Sequence, residues 1–410
     1  MRMKKEQNIV PKLRFPEFSE AWKQSRLADY LDVSKKKNID EEYDKEDVLS
    51  VSGDYGIINQ IEFQGRSYAG ESVANYGVVE IGDIVYTKSP LKANPYGIIK
   101  TNKKHPGIVS TLYAVYKPTP KTCPEFVQVY FELDARMNNY MRPLVNKGAK
   151  NDMKVSAENA LKGEVCFPSL AEQETISDFF SLLDTLISLQ QRKLDQIKEY
   201  KKGMLQKMFP KEGESVPEVR FPEFTGDWEQ RKFGEMFKRR MERNGGQFDN
   251  TRWISVAKMY FQEPEKVTSN NIDTRTYVMR KGDIAFEGHP NKEYKFGRFV
   301  ENDIGDGVIS ELFPIYQHID EYDLNYWKYA IQLESIMQKK LVRCIEISYT
   351  SSNKLDENSF LRESILVPSI QEQEVIGAFF AKIDETITLH QRKLDAMKEY
   401  KNGLLQQMFV

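Results

Sequence analysis

The sequence predicts an α/β protein built twice over: two similar globular domains separated by two long antiparallel helices, related by a pseudo-twofold internal duplication. Three observations carry that prediction. Residues 165–210 and 365–410 align without gaps and are identical at 25 of 46 positions, with Gln191–Asp195 repeated as Gln391–Asp395. Each half opens on one motif, Arg14-Phe15-Pro16-Glu17-Phe18 and Arg220-Phe221-Pro222-Glu223-Phe224, followed at the same distance by Trp22 and Trp228. The middles are far less alike but keep landmarks at a constant offset: Gly82-Asp83-Ile84 against Gly282-Asp283-Ile284, and Gly107, Ser110, Leu112 and Tyr116 against Gly307, Ser310, Leu312 and Tyr316.

The elements follow in order. Residues 1–168 read as a first domain, with β-formers at Ile84–Tyr86 and Val109–Tyr116 and a helix over Phe126–Met141 showing Phe126, Tyr130 and Leu133 on one face. Residues 169–209 read as a long helix, 210–216 as a polar, turn-rich linker, 217–368 as a second domain and 369–410 as the repeated helix. The second domain repeats the plan through Ile284–Phe286, Val308–Tyr316 and a helix containing Leu324, Trp327 and Ile331.

Both long helices begin with a capping box, Ser169 to Glu172 and Ser369 to Glu372. There the serine accepts a free backbone N–H and the glutamate reaches back. Apolar residues then recur at alternating spacings of four and three. The first series is Ile176, Phe180, Leu183, Ile187, Leu194 and Ile197; the second is Ile376, Phe380, Ile383, Ile387, Leu394 and Met397. That is a seam of heptad period, with polar interruptions at Gln190, Lys201, His390 and Lys401. A helix of about 40 residues is roughly 60 Å long, more than a small domain needs to cover its core. The two helices are therefore expected to pair with each other rather than to pack only on their own domains.

Lys and Arg total 59 and Asp and Glu 61, a net charge of −2, so no whole-chain basic signature marks a nucleic-acid partner. The three cysteines are scattered, without zinc-ligand or disulfide spacing. No apolar run has the length of a membrane span, no signal segment is evident, and a cytoplasmic protein is expected. No nucleotide-binding loop, glycine-rich cofactor fingerprint, metal set or nucleophile constellation is present, so no catalytic residue is assigned. Asn94-Pro95-Tyr96-Gly97 reads as a tight turn.

The diverged loops carry the candidate binding chemistry. In the first domain these are Lys35 and Lys36, then Lys88, Ser89, Lys92, Asn94 and Tyr96, and finally Lys150, Asn151 and Lys154. In the second they are Arg240 and Arg243, then His289, Asn291, Lys292 and Lys295, and finally Tyr349, Ser351, Asn353 and Lys354. Lysine and arginine neutralise phosphates; Asn, Arg and Ser can read base edges. Polar loops are ordinary in any protein, and it is their recurrence at matching positions in both domains that points to DNA.

On the two Arg-Phe-Pro-Glu-Phe motifs, the Gly-Asp-Ile landmarks and the Pro-Ser-x-x-Glu-Gln starts at 168–173 and 368–373, the chain resembles the specificity subunit of type I restriction-modification systems over its whole length. The resemblance implies two target-recognition domains, each reading one half of an asymmetric bipartite site in double-stranded DNA, and helices that set the spacing and dock partners. It implies two modification subunits that bring S-adenosylmethionine for adenine N6 methylation, and two restriction subunits that use ATP and Mg. This chain itself would be non-catalytic. Two other readings stay open on the residues alone. A protein-only scaffold would bind no DNA, and a stand-alone DNA-modifying enzyme would transfer methyl groups without partners.

Overall fold

The computed structural model describes residues 9–88, 94–145, 155–267, 271–346 and 352–410. Two helices dominate it, α1 (Leu170–Lys207) and α2 (Ile370–Gln407). The chain divides into two compact units. Unit 1 is Met1–Gln191 with Lys393–Val410, and unit 2 is Arg192–Arg392. Each unit therefore contains a globular domain, the start of the helix that follows it and the end of the other helix.

The two domains share the registers of their main sheets. In unit 1 an antiparallel sheet runs in the order Leu31–Val33, Ala114–Pro118, Ile84–Tyr86, Ile99–Thr101. In unit 2 the order is Phe237–Arg240, Ile315–His318, Ile284–Glu287, Arg298–Glu301. Ile84 lies opposite Thr101 and Tyr116, and Ile284 opposite Glu301 and Tyr316. Lys23 pairs with Phe167, and Glu229 with Val367, so the first and last strands of each domain join just before its long helix.

These registers explain the surviving landmarks. Gly82 and Gly282 both have φ of +87°, a backbone conformation costly for other residues. The aspartate that follows closes the turn: Glu80 N donates to Asp83 Oδ2 (2.8 Å) and Arg280 N to Asp283 Oδ2 (2.7 Å). At Gly107 and Gly307 a Cβ would come within 2.6 Å of the Asp47 carbonyl oxygen and 2.4 Å of that of Arg252. A side chain at either position would displace a neighbouring backbone.

One expected element differs. Phe126–Met141 is two helices, Pro124–Tyr130 and Asp134–Met141, with Phe131 and Leu133 capping them. Phe131 and Tyr130 point into the core, and the bend lets both helices bury an apolar face. Unit 2 repeats the break between Leu324–Ala330 and Glu334–Cys344.

Every expected seam residue is buried or half-buried. The first part of each seam packs on its own domain's core: Ile176 and Phe180 in unit 1, Ile376, Phe380 and Ile383 in unit 2. In the same cores lies the end of the other helix, running antiparallel. In unit 1 Phe180 meets Phe409 (6.1 Å between centroids) and Asp184 meets Lys401 (2.5 Å). In unit 2 Phe380 meets Phe209 (6.3 Å) and Asp384 meets Lys201 (2.6 Å). Burial alone would lower the Lys401 pKa, but Glu132 and Asp184 hold it above the usual lysine range. The two seam lysines are thus matched to carboxylates, which fixes register as well as partner.

The capping boxes form only in half. Ser169 and Ser369 accept from Glu172 N and Glu372 N, each at 3.4 Å. The glutamate carboxylates do not reach back; each is gripped by the arginine of an opening motif. Arg14 holds Glu172 through Nε and Nη2, both at 2.7 Å, and Arg220 holds Glu372 likewise at 2.8 Å. Phe15 and Phe221 pack edge-on against Phe179 and Phe379. The opening motif is a clasp from the start of each domain to the start of its helix.

His318 shows how fully unit 2 is packed. Its ring stacks on Tyr322 (3.6 Å) and lies against Phe237 (4.4 Å), and burial pushes its pKa down to about 3. A depressed folded-state pKa means stability that is present above the ordinary imidazole value and is lost as pH falls through it toward the folded value. Between pH 7 and pH 4 the wild type should lose about 3 kcal/mol more than His318→Phe. Denaturant unfolding of both at the two pH values checks this; equal losses would remove the buried neutral histidine as the cause.

Candidate nucleic-acid interface

In unit 1, the segment after strand Leu31–Val33 carries exposed Lys35 and Lys36. Lys36 Nζ pairs with Glu80 (3.0 Å), which also binds Lys117 (2.8 Å). Lys117 first and Lys36 second pull the Glu80 pKa down to about 2. Lys88 adopts φ +52° and donates to the Thr111 carbonyl (2.9 Å). Burial, with repulsion from Lys37, lowers the Lys88 pKa. The structure therefore brings the 35–37 segment, Lys88 and the 110–113 turn to one region.

Asn94–Gly97 is a turn, closed by Gly97 N to the Asn94 carbonyl (3.0 Å), with Gly97 at φ +85°. Tyr96, expected at the DNA face, packs instead against the core, and its carbonyl accepts from the Tyr86 hydroxyl (2.6 Å). Asn94 is half-buried. Ser89, Lys92, Lys150, Asn151 and Lys154 lie outside the described residues, as do Tyr349 and Ser351 of unit 2.

In unit 2, Arg240 is half-buried and bound to Asp283 (2.6 Å) and Glu242 (3.2 Å). Asp283 is itself buried, and burial raises its pKa to about 6. Arg240 is thus committed to an internal carboxylate that sequence spacing does not reveal. Arg243 lies over the Tyr277 ring (4.4 Å) and pairs with Glu311 (2.6 Å), which also takes Arg275 (3.0 Å). The central contact has exchanged charges between the domains. Lys36 with Glu80 in unit 1 stands where Glu242 with Arg280 stands in unit 2.

The 288–297 loop holds four expected residues. His289 Nδ1 lies 2.7 Å from Glu287 Oε1. Asn291 Oδ1 accepts from Glu293 N and Tyr294 N, both at 2.9 Å, and so shapes the loop rather than facing outward freely. Lys292 is exposed, and Lys295 sits over the Phe296 ring (5.5 Å). Asn353 is buried and donates its backbone N–H to the Gly288 carbonyl (2.9 Å), which brings exposed Lys354 beside this loop. Sequence reasoning missed Glu287 and Arg298 here. The i, i+2 spacing of Glu287 and His289 at a strand end puts them on one face, and that signal was available.

Comparison with known proteins bears on the first half of the chain and on the fold of the whole. A family model for the type I restriction modification DNA specificity domain matches residues 19–199. The equivalent strand registers of the main sheet make the second half a further copy of the same fold. The chain is similar to the S subunit of a type I restriction-modification system from M. genitalium, with a TM-score of 0.56 at 12% identity, covering 98% of this chain and 99% of that one. It is also similar to a chain from a structure describing complex assembly and conformational transition of the type I R-M system, with a TM-score of 0.53 at 13% identity, covering 95% and 97%. At such identities the likeness speaks for the fold. No curated protein matches the chain. The resemblance to the type I specificity subunit is borne out, and the function that belongs to this specificity family is DNA sequence recognition within a restriction-modification system. No helix among the described residues is long and apolar enough to cross a membrane.

Proposed function

We propose that this chain is the non-catalytic reader of a bipartite, asymmetric sequence in double-stranded DNA, with residues 1–168 reading one half-site and residues 217–368 the other. One observation supports it most: two domains whose main sheets keep the same registers have exchanged or replaced the chemistry of their loops. In the repeat alignment Thr111 corresponds to Glu311, Ser89 to His289, and Glu80 to Arg280. Equal scaffolds with unequal loops suit two half-sites of different sequence. Exposed lysines such as Lys35, Lys36, Lys292 and Lys354 would meet phosphates, while fixed polar groups between them would meet base edges.

The long helices would set half-site spacing and dock two modification subunits, which would supply S-adenosylmethionine and methylate adenine N6. Two restriction subunits would add ATP- and Mg-dependent chemistry, all in the cytoplasm. The test is to map methylated adenines in the genome of a host with and without this chain. A single bipartite motif should lose methylation when the chain is removed. Methylation that persists unchanged would refute the reading.

A further inference from the structure

We propose that His289 reads a base of the second half-site as a hydrogen-bond acceptor, through Nε2, and that Glu287 is the positioning residue that makes it an acceptor. The inference rests on the DNA-reading role proposed above and names one specificity-determining group within it.

Glu287 ends strand Ile284–Glu287 and is 4% exposed. Its Oε1 accepts from the backbone N–H of His289 (3.0 Å) and lies 2.7 Å from the ring Nδ1. Arg298 Nε is 3.7 Å from Oε2, and its Nη2 donates to the Ala257 carbonyl, so a fixed positive charge stands behind the buried carboxylate. An ionised carboxylate can only accept, so Nδ1 carries the proton that lies between them. In the neutral ring the lone pair is then on Nε2.

The ring is held but not covered: the His289 side chain is 54% exposed. Its loop is fixed from beneath. Asn353 N donates to the Gly288 carbonyl, and a Cβ on Gly288 would come within 2.2 Å of the Asn353 oxygen. A preorganised acceptor facing outward selects hydrogen-bond donors. On base edges the donors are exocyclic amino groups, adenine N6 and cytosine N4 in the major groove and guanine N2 in the minor groove. The first domain has no such pair, because Thr87 occupies the glutamate's position and its Oγ1 accepts from Ile98 N (3.0 Å). The effect belongs to one half-site.

The test uses the full-length chain in complex with its modification subunits and duplexes of the mapped target. One base at a time loses its amino group: purine for adenine, pyrimidin-2-one for cytosine, inosine for guanine. One replacement in the second half-site should weaken wild-type binding about 5- to 100-fold. The same replacement should leave His289→Ala binding unchanged. A purine or pyrimidinone response marks the major groove and an inosine response the minor groove. Glu287→Gln can donate to Nδ1 and turn Nε2 into a donor, so it should lose this discrimination with His289 still present. A merely structural Glu287 would lower Tm and leave base preference where it was. If wild type and His289→Ala respond alike to every replacement while the bipartite motif stands, the inference is overturned. If the wild type shows no sequence preference, the DNA-reading role fails first and takes the inference with it.

Discussion

Deleting residues 401–410 is expected to unfold unit 1 while unit 2 stays folded, although the deletion lies more than 200 residues beyond the first domain's last strand. The cause is core sharing. Phe409 meets Trp22 (6.0 Å), Phe126 (5.7 Å), Tyr130 (5.8 Å) and Phe180 (6.1 Å), and Arg136 caps its ring at 4.8 Å. Leu404, Leu405 and Met408 are buried in the same cluster. Lys401 neutralises Asp184 and Glu132, and Arg136 donates to the Leu405 carbonyl (2.9 Å). Phe409→Ala alone should cost about 3–5 kcal/mol. Losing the whole segment removes several such side chains from a domain whose net stability is on the order of 5–15 kcal/mol. Hydrogen exchange resolved along the chain tests it. Amides in 23–33 and 124–141 should lose protection, and those in 229–240 and 315–331 should keep it. Protection retained in the first set would mean that the domain folds without its distant helix end.

That dependence shows what the sequence could and could not disclose. The duplication, the α/β plan and the seam were legible because each is written in local text: identity at fixed offset, β-former runs, apolar spacing of four and three. The sharing of cores was not. Nothing in Lys401 or Phe409 says that Glu132 and Phe126 are their neighbours; that follows from how the helix end returns. The helix break at Phe131–Leu133 was missed for a related reason. It contains no glycine or proline, and it is tertiary burial of Phe131 and Met137 that bends the chain there.

The loops were legible as loops but not as chemistry. Arg240 and Asp283 are 43 residues apart, and only the sheet order makes them partners. Tyr96 stands among the candidate DNA-binding loop residues, yet it packs against the core. The capping boxes misled in the opposite direction. Spacing correctly gave Ser169 and Ser369 their cap roles, but the glutamates had a stronger competitor. A bidentate guanidinium outbids a single backbone N–H.

That competitor gives the second large effect. Arg14→Ala should destabilise unit 1 by about 3–5 kcal/mol, because it leaves the Glu172 carboxylate, 1% exposed, without its counter-charge. Arg14→Lys should recover only part of this, since an ammonium cannot reproduce two parallel donors. The equivalent change in unit 2 should be worse. Glu172 also accepts from Trp22 Nε1 (3.2 Å), whereas Trp228 Nε1 has no hydrogen-bond partner among the described residues. Arg220→Ala therefore strips Glu372 more completely than Arg14→Ala strips Glu172. Pairing each arginine change with Glu172→Gln or Glu372→Gln should restore much of the loss, because the penalty is that of an unpaired buried charge. Thermal unfolding of the single and double variants measures it. If the double variants are no more stable than the singles, the cost lies in lost packing of the arginine stem. In that case the clasp is steric rather than electrostatic.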